Sequence, residues 1–188
     1  FSAKIQGKAA HAGFHPEDGI NSIQAAADAI AKLPQGHVGE NTTANIGKIS
    51  GGSGTNIVSE SCRVEGEIRS LNHEKAMELL ETYHRTFQEA AESVHASLVW
   101  EEKLNIHAYE TPLAGDAARH YENAVKKEGL TAAFEKTFGG SDNNVFAQHG
   151  IEGLVIATSM NQVHSCSEYT KIPEIAQVAR IVSNLAVL

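Results

Sequence analysis

The sequence predicts an α+β chain: a ferredoxin-like βαββαβ unit over residues 1–109, then an αβαβα segment over residues 110–188. Three observations predict it. Apolar and charged residues alternate strictly over 62–69, and shorter alternating runs at 1–6 and 98–108 also mark half-buried strands. Apolar residues three and four apart over 20–34 and 73–94 mark two helices between those strands. Beyond residue 110, longer helical stretches are separated by short apolar runs, the pattern of a layered α/β domain.

The first strand, FSAKIQ, puts Phe1, Ala3 and Ile5 on one face. The stretch GKAAHAGFHPEDGINS follows as a loop. Its His11 and His15 stand four apart, a spacing that would share a metal on a helix, but Gly13 and Pro16 disfavour helix there. GINSIQAAADAIAKLP carries Ile20, Ile23, Ala27 and Ile30 as a helical stripe that Pro34 and Gly36 terminate. TTANIGKIS is a short β-branched strand, and GGSGTN is a turn. Cys62, Val64, Gly66 and Ile68 then face the core, opposite Arg63, Glu65, Glu67 and Arg69. Asn72 caps a helix whose apolar side is Met77, Leu80, Phe87, Ala91 and Val94. Leu98, Trp100, Leu104, Ile106 and Ala108 draw the fourth strand. Both helices are expected on one sheet face, leaving the charged face for solvent, substrate or a partner. In the second segment, helices are expected at 113–128, after GGSDNN and from Ile172 onward, with TAAFEKTF and EGLVIATS as strands.

The chain has 188 residues, 41% of them hydrophobic and 20% charged, a balance typical of soluble globular proteins. A net charge of −8 argues against a nucleic-acid surface and gives no pull toward acidic lipid. The apolar runs are too short for a membrane span. Cys62 and Cys166 belong to no Cys-x-x-Cys, so a reducing, cytoplasmic setting is expected. The chain opens at Phe1 directly in a strand, which reads as a piece of a longer protein.

Five motifs, in this order, carry a family resemblance: GKAAHAGFHPEDGINS, GGSGTNIV, EIRSLN, FGGSDNNVFAQHGI and VHSCSEY. Together they resemble the peptidase T-like tripeptidases, which belong with carboxypeptidase G, aminoacylase and succinyl-diaminopimelate desuccinylase among the di-zinc exopeptidases. The resemblance implies that 1–109 is a lid and dimerisation domain and that 110–188 is the C-terminal part of a catalytic domain. It also implies two zincs per active site, a short peptide substrate and a homodimer through the lid. The family's His-x-Asp, bridging Asp and Glu-Glu base lie upstream of the lid; no His-x-Asp occurs here, and Glu101-Glu102 falls in the fourth strand. The expectation is a fragment of a zinc-dependent aminopeptidase, inactive by itself.

The resemblance assigns roles that must be weighed against plainer ones. His164 matches a zinc ligand; by itself it would be a loop histidine. Cys166 reads as a small buried or half-buried thiol, and Glu168 as a residue orienting His164 or its loop. His11 matches a lid histidine that reaches the partner subunit's active site and binds the oxyanion of the tetrahedral intermediate; otherwise it is a strand-end histidine bonded to a carbonyl. Asn56 matches a substrate contact beside that oxyanion, though asparagine is common in turns. Arg69 matches a residue gripping the substrate's C-terminal carboxylate, which a guanidinium can hold with two hydrogen bonds; otherwise it is a solvated charge, as Arg63 is. Gly139 and Gly140 match the lining of the substrate pocket. Asp142 stands between an anchor for a peptide amino group and a helix N-cap. A different class of reading also fits the first unit: a non-catalytic ferredoxin-like module that dimerises or binds a small ligand.

Overall fold

The computed structural model describes residues 1–187. The chain divides into two compact units, one from Phe1 to Ala108 and one from Tyr109 onward. In the first, the elements run β1 (Ser2–Gln6), α1 (Ser22–Lys32), β2 (Gly36–Gly39), β3 (Thr42–Gly51), β4 (Ser61–Ser70), α2 (His73–Ser93) and β5 (Ser97–Glu101). They form one antiparallel sheet in the order β2-β3-β4-β1-β5. Without β2, this is the strand order of the split βαβ plan. The hairpin strand β2 is an addition that the sequence reading missed. It turns into β3 through Asn41, whose φ of 58° is one that asparagine tolerates better than most residues.

The core lies between the sheet and the two helices. Ala3 and Ile5 of β1, Ala44 of β3 and Cys62 and Val64 of β4 meet Ala25, Ala26 and Ala29 of α1 and Tyr83, Phe87, Ala90 and Ala91 of α2. Burying a side chain the size of Phe87 contributes about 1.5–3 kcal/mol. The expected stripe on α1 needs correction. Ile30 packs against the core as expected, but the fully buried face is Ser22, Ala25, Ala26 and Ala29 with Leu33, while Ile23 is 40% exposed and Ala27 is exposed. Alanines let the helix axis approach the sheet closely, and isoleucines on that face would hold it away. On α2 the reading of Phe87 and Ala91 agrees, but Tyr83 is also fully buried and Met77 is exposed.

β5 ends at Glu101 rather than near 108. Its neighbour β1 begins at Ser2, opposite Glu101, so later residues have no ladder to join, and Leu104 and Ile106 are about half exposed. On the open face, Arg63 pairs with Glu65 at 2.9 Å and Glu101 at 3.5 Å, the solvated strand charges expected there. Glu102 accepts a hydrogen bond from the Trp100 indole at 3.0 Å.

The second unit contains α3 (Asp116–Lys127), α4 (Asn143–Gln148) and α5 (Ile172–Leu185). α3 and α5 pack through Ala124, Val125 and Ile181. Arg180 pairs with Glu128 at 2.7 Å, and the Asn184 amide donates to the same carboxylate at 2.9 Å. TAAFEKTF and EGLVIATS do not form strands here. Among the described residues neither pairs with another strand, and a strand exists only through the neighbour that takes up its backbone groups. Among the described residues, no helix is long and apolar enough to cross a membrane.

Candidate functional site

The sheet of the first unit places the sequence-predicted residues at two separate ends. At one end, the chain leaves β1 with the Gly7 N–H donating to the Glu60 carbonyl at 2.8 Å, then loops through His11. No helix forms at 11–15; a single 3-10 turn follows at Pro16–Asp18. The loop before β4 runs alongside. Ala12 N–H donates to the Asn56 carbonyl at 3.0 Å, Val58 N–H donates to the Ala10 carbonyl at 2.9 Å, and His11 bridges Ile57. His11 and Asn56, 45 residues apart in sequence, are therefore neighbours. A buried serine pair underlies them: Ser22 at the start of α1 hydrogen-bonds the Ser59 hydroxyl and carbonyl, both at 2.9 Å. Nothing in the sequence signalled this pair.

The His11 ring has two contacts of its own. Gly13 N–H donates to its Nδ1 at 3.1 Å, and the Phe14 ring stacks on it with centroids 4.2 Å apart and planes 21° apart. The strand-end alternative, a ring bonded to a neighbouring carbonyl, is not what this nitrogen does: it accepts from an amide. His15 faces Glu17 instead, at 3.4 Å.

Arg69 lies at the other end of β4. Its guanidinium meets Glu67 through two hydrogen bonds, of 2.7 and 3.1 Å, and that pairing raises its pKa further above the ordinary value. Glu67 is a carboxylate already on the group expected to hold a carboxylate, and the sequence analysis did not single it out. The two-residue spacing on a strand, which puts both side chains on one face, is the signal that could have found it. From Ser61 to Arg69 the strand advances about 26 Å, at about 3.3 Å per residue.

In the second unit, Gly139 and Gly140 are exposed, and Asp142 takes the N-cap position of α4. Its carboxylate makes no capping bond. Ser141 and Asn144 do the local bonding, with Ser141 Oγ accepting from Asn143 N–H at 3.3 Å and Asn144 Oδ1 accepting from Ser141 N–H at 2.9 Å. The capping alternative for Asp142 is therefore not realised by its side chain. Asn143 Nδ2 is buried without a hydrogen-bond partner among the described residues.

His164 occupies a turn at φ 63°, and Glu168 accepts from its backbone N–H at 2.9 Å. Glu168 thus organises the loop through the main chain and not through the imidazole. Cys166 is exposed, which corrects the expectation of a buried or half-buried thiol: it sits on the outside of that turn. Among the described residues, no group of three His, Cys, Asp or Glu side chains is placed to hold a metal ion. The donor set around His164 does not fit a zinc centre within this chain.

A family model described as peptidase dimerisation domain matches residues 1–95. The uncharacterised protein YqjE of Bacillus subtilis (strain 168) is 36% identical over 180 residues, covering 96% of this chain and 48% of that protein. Among solved structures, aminopeptidase PepT from Bacillus cereus ATCC 10987 is 34% identical with a TM-score of 0.85, covering 98% of this chain and 49% of that one. A tripeptidase from Staphylococcus aureus subsp. aureus Mu50 is 29% identical with a TM-score of 0.90 over the same shares. The YXEP protein of Bacillus subtilis, described as a dinuclear metal binding peptidase, is a more distant fold neighbour: 18% identical, TM-score 0.69, covering 99% of this chain and 49% of that one. The chain spans about half the length of these relatives. With a family match over half its residues and 36% identity across nearly all of them, this chain belongs to the peptidase dimerisation domain family.

Proposed function

We propose that this chain is the dimerisation lid and C-terminal catalytic portion of an aminopeptidase for short peptides such as tripeptides, acting as a homodimer. The first unit supplies the lid. His11 and Asn56 from one lid serve the active site of the partner subunit, where His11 donates a hydrogen bond to the developing oxyanion. Arg69 holds the substrate carboxylate, which displaces Glu67 from the guanidinium. Gly139, Gly140 and Asp142 line the substrate pocket, and His164 is one ligand of a di-zinc centre in the longer enzyme. Such a centre, with His164 among its ligands, would supply Lewis-acid activation of a water. The described residues hold no complete ligand set, so this chain alone is expected to be inactive. Its two free thiols suit a reducing cytoplasm.

The observation that carries the reading is the length of β4. His11 and Asn56 lie in the loops at its Ser61 end, and Arg69 stands about 26 Å along the strand from Ser61, whereas an extended tripeptide spans about 10 Å. One substrate cannot touch both ends of one lid. If all three residues act on substrate, they act on two substrates in two active sites, which a two-fold dimer provides.

Subunit mixing in the longer enzyme tests this directly. His11→Ala and Arg69→Ala homodimers should each lose most of their turnover. In an equal mixture, half the dimers are mixed and each of those has one intact site, so about a quarter of wild-type activity should return. If the mixture stays as inactive as its parents, both residues serve the same site and the proposal fails. Full activity in both parents would remove the residues from the chemistry and favour the non-catalytic module.

A further inference from the structure

His11 stands on an exposed loop, where an imidazole with no fixed partner would change rotamer and tautomer freely. A hydrogen bond delivered to a developing charge is effective only if the donor is already in place. The loop around His11 is built to place it. The His11 carbonyl accepts from the Phe14 and His15 amides at 3.3 and 3.2 Å, closing a turn directly over the residue. That turn brings the Gly13 N–H to Nδ1 at 3.1 Å and lays the Phe14 ring against the imidazole face. The other side of the loop is tied by main-chain hydrogen bonds, with Ala12 N–H donating to the Asn56 carbonyl and Val58 N–H donating to the Ala10 carbonyl.

Phe14 is 75% exposed. A phenyl ring that exposed adds little to the core, and it stacks on His11. The Gly13 contact also has a chemical consequence. An N–H pointed at Nδ1 requires a lone pair there, so the neutral ring carries its proton on Nε2. The ring edge opposite Gly13 is then a donor.

We propose that Phe14 and the Gly13 amide are positioning groups for His11, holding its imidazole as the neutral Nε2–H tautomer with that N–H as the outward donor. The inference rests on the reading of His11 as an oxyanion donor, and it adds what makes the side chain competent for that task. Phe14 fixes the plane of the ring and Gly13 fixes the proton. Protonation of His11 would put a hydrogen on Nδ1 and break the Gly13 contact, so the Gly13 amide reports the state of the ring. Two titratable groups of the same loop, His15 and Glu17, pair with each other at 3.4 Å.

The test is nitrogen NMR of the imidazoles in this chain, assigned with His11→Asn, together with the Gly13 amide followed through a pH titration. The expected result is an acceptor-type Nδ1 and a protonated Nε2 on His11, with the Gly13 amide shifting at the same midpoint as the ring. Phe14→Ala should weaken that coupled response and remove the ring-current shift on the His11 ring protons, and Phe14→Tyr should keep both. The Trp100 indole signal checks that the fold is unchanged. A protonated Nδ1, or a Gly13 amide indifferent to the His11 titration, overturns the proposal whatever the enzyme does. Kinetics of the longer enzyme separate the two ideas. Phe14→Ala should lower kcat about three- to tenfold with KM unchanged, the scale of one lost aromatic stack, and Phe14→Tyr should restore it. A large loss from His11→Ala with none from Phe14→Ala overturns the positioning role alone. No loss from His11→Ala overturns the reading beneath it.

Discussion

Gly66→Ala is the substitution whose cost the structure defines best. Gly66 lies midway along β4, on the core face of the sheet, opposite Ile46. A Cβ there would stand 2.5 Å from the Asn45 carbonyl oxygen and 2.6 and 2.7 Å from two carbons of the Phe1 ring. The carbonyl belongs to the β3–β4 ladder and can retreat only by loosening it, so the ring must also move. Phe1 stacks on Trp100 at 5.1 Å and meets the edge of Tyr83 at 5.4 Å, and displacing it disturbs both contacts. Overpacking costs about 1–3 kcal/mol and each of the two aromatic pairs about 0.5–1.5 kcal/mol, so a total of about 2–6 kcal/mol is expected. That is a large share of a stability of about 5–15 kcal/mol. Trp100 is the sole tryptophan and packs on the displaced ring, so urea unfolding followed by its fluorescence reads the loss as a lower midpoint at unchanged slope. Phe1→Leu should recover part of it in the double variant, because the ring clash is relieved and the carbonyl clash is not. A shift under about 0.5 kcal/mol for Gly66→Ala would refute the reasoning, since a contact that tight cannot cost so little unless the strand is free to move.

Two further outcomes follow from local environments. Cys62 is fully buried, which pushes its thiol pKa up, whereas Cys166 is exposed; a thiol-specific dye should label Cys166 promptly and Cys62 only in denaturant. Equal fast labelling of both would mean that the sheet opens readily around β4. In the second unit, hydrogen bonds from Arg180 and Asn184 hold the Glu128 carboxyl below its ordinary value of 4.5. A lowered folded-state pKa contributes stability that is complete above the ordinary value and disappears as pH falls through the lowered one. Glu128→Gln should therefore melt below wild type at pH 6, by circular dichroism of α3 and α5, and the gap should narrow steadily as pH falls below 4.5. A gap that does not narrow as pH falls would assign the effect to packing instead.

Much of the architecture was legible because it is written in local periodicity. The alternation over 62–69 placed β4 and its two faces, and the spacing of Phe87 and Ala91 placed the inner face of α2. The loop reading at 11–15 followed from glycine and proline chemistry, which acts within a residue or two. Asn72 accepts from the Lys75 N–H at 3.1 Å, as its position ahead of the helix led one to expect. Motif order pointed to the peptidase relatives without needing any contact between motifs.

What the tertiary structure decided concerns partners distant in sequence. β5 stops where β1 starts, α1 turns alanines inward because the sheet is close, and TAAFEKTF forms no ladder because no strand among the described residues pairs with it. The same holds for the candidate site. His11 and Asn56 meet through backbone hydrogen bonds across 45 residues, while Arg69, only thirteen residues from Asn56, lies at the far end of a strand and is held by Glu67. Residue type and spacing determine which element forms and which side chains share a face, because those depend on backbone geometry repeated every two or 3.6 residues. Which elements meet depends on the burial and hydrogen bonding of the whole fold, and it is that assembly which sets His11 and Asn56 at one end of β4 and Arg69 at the other.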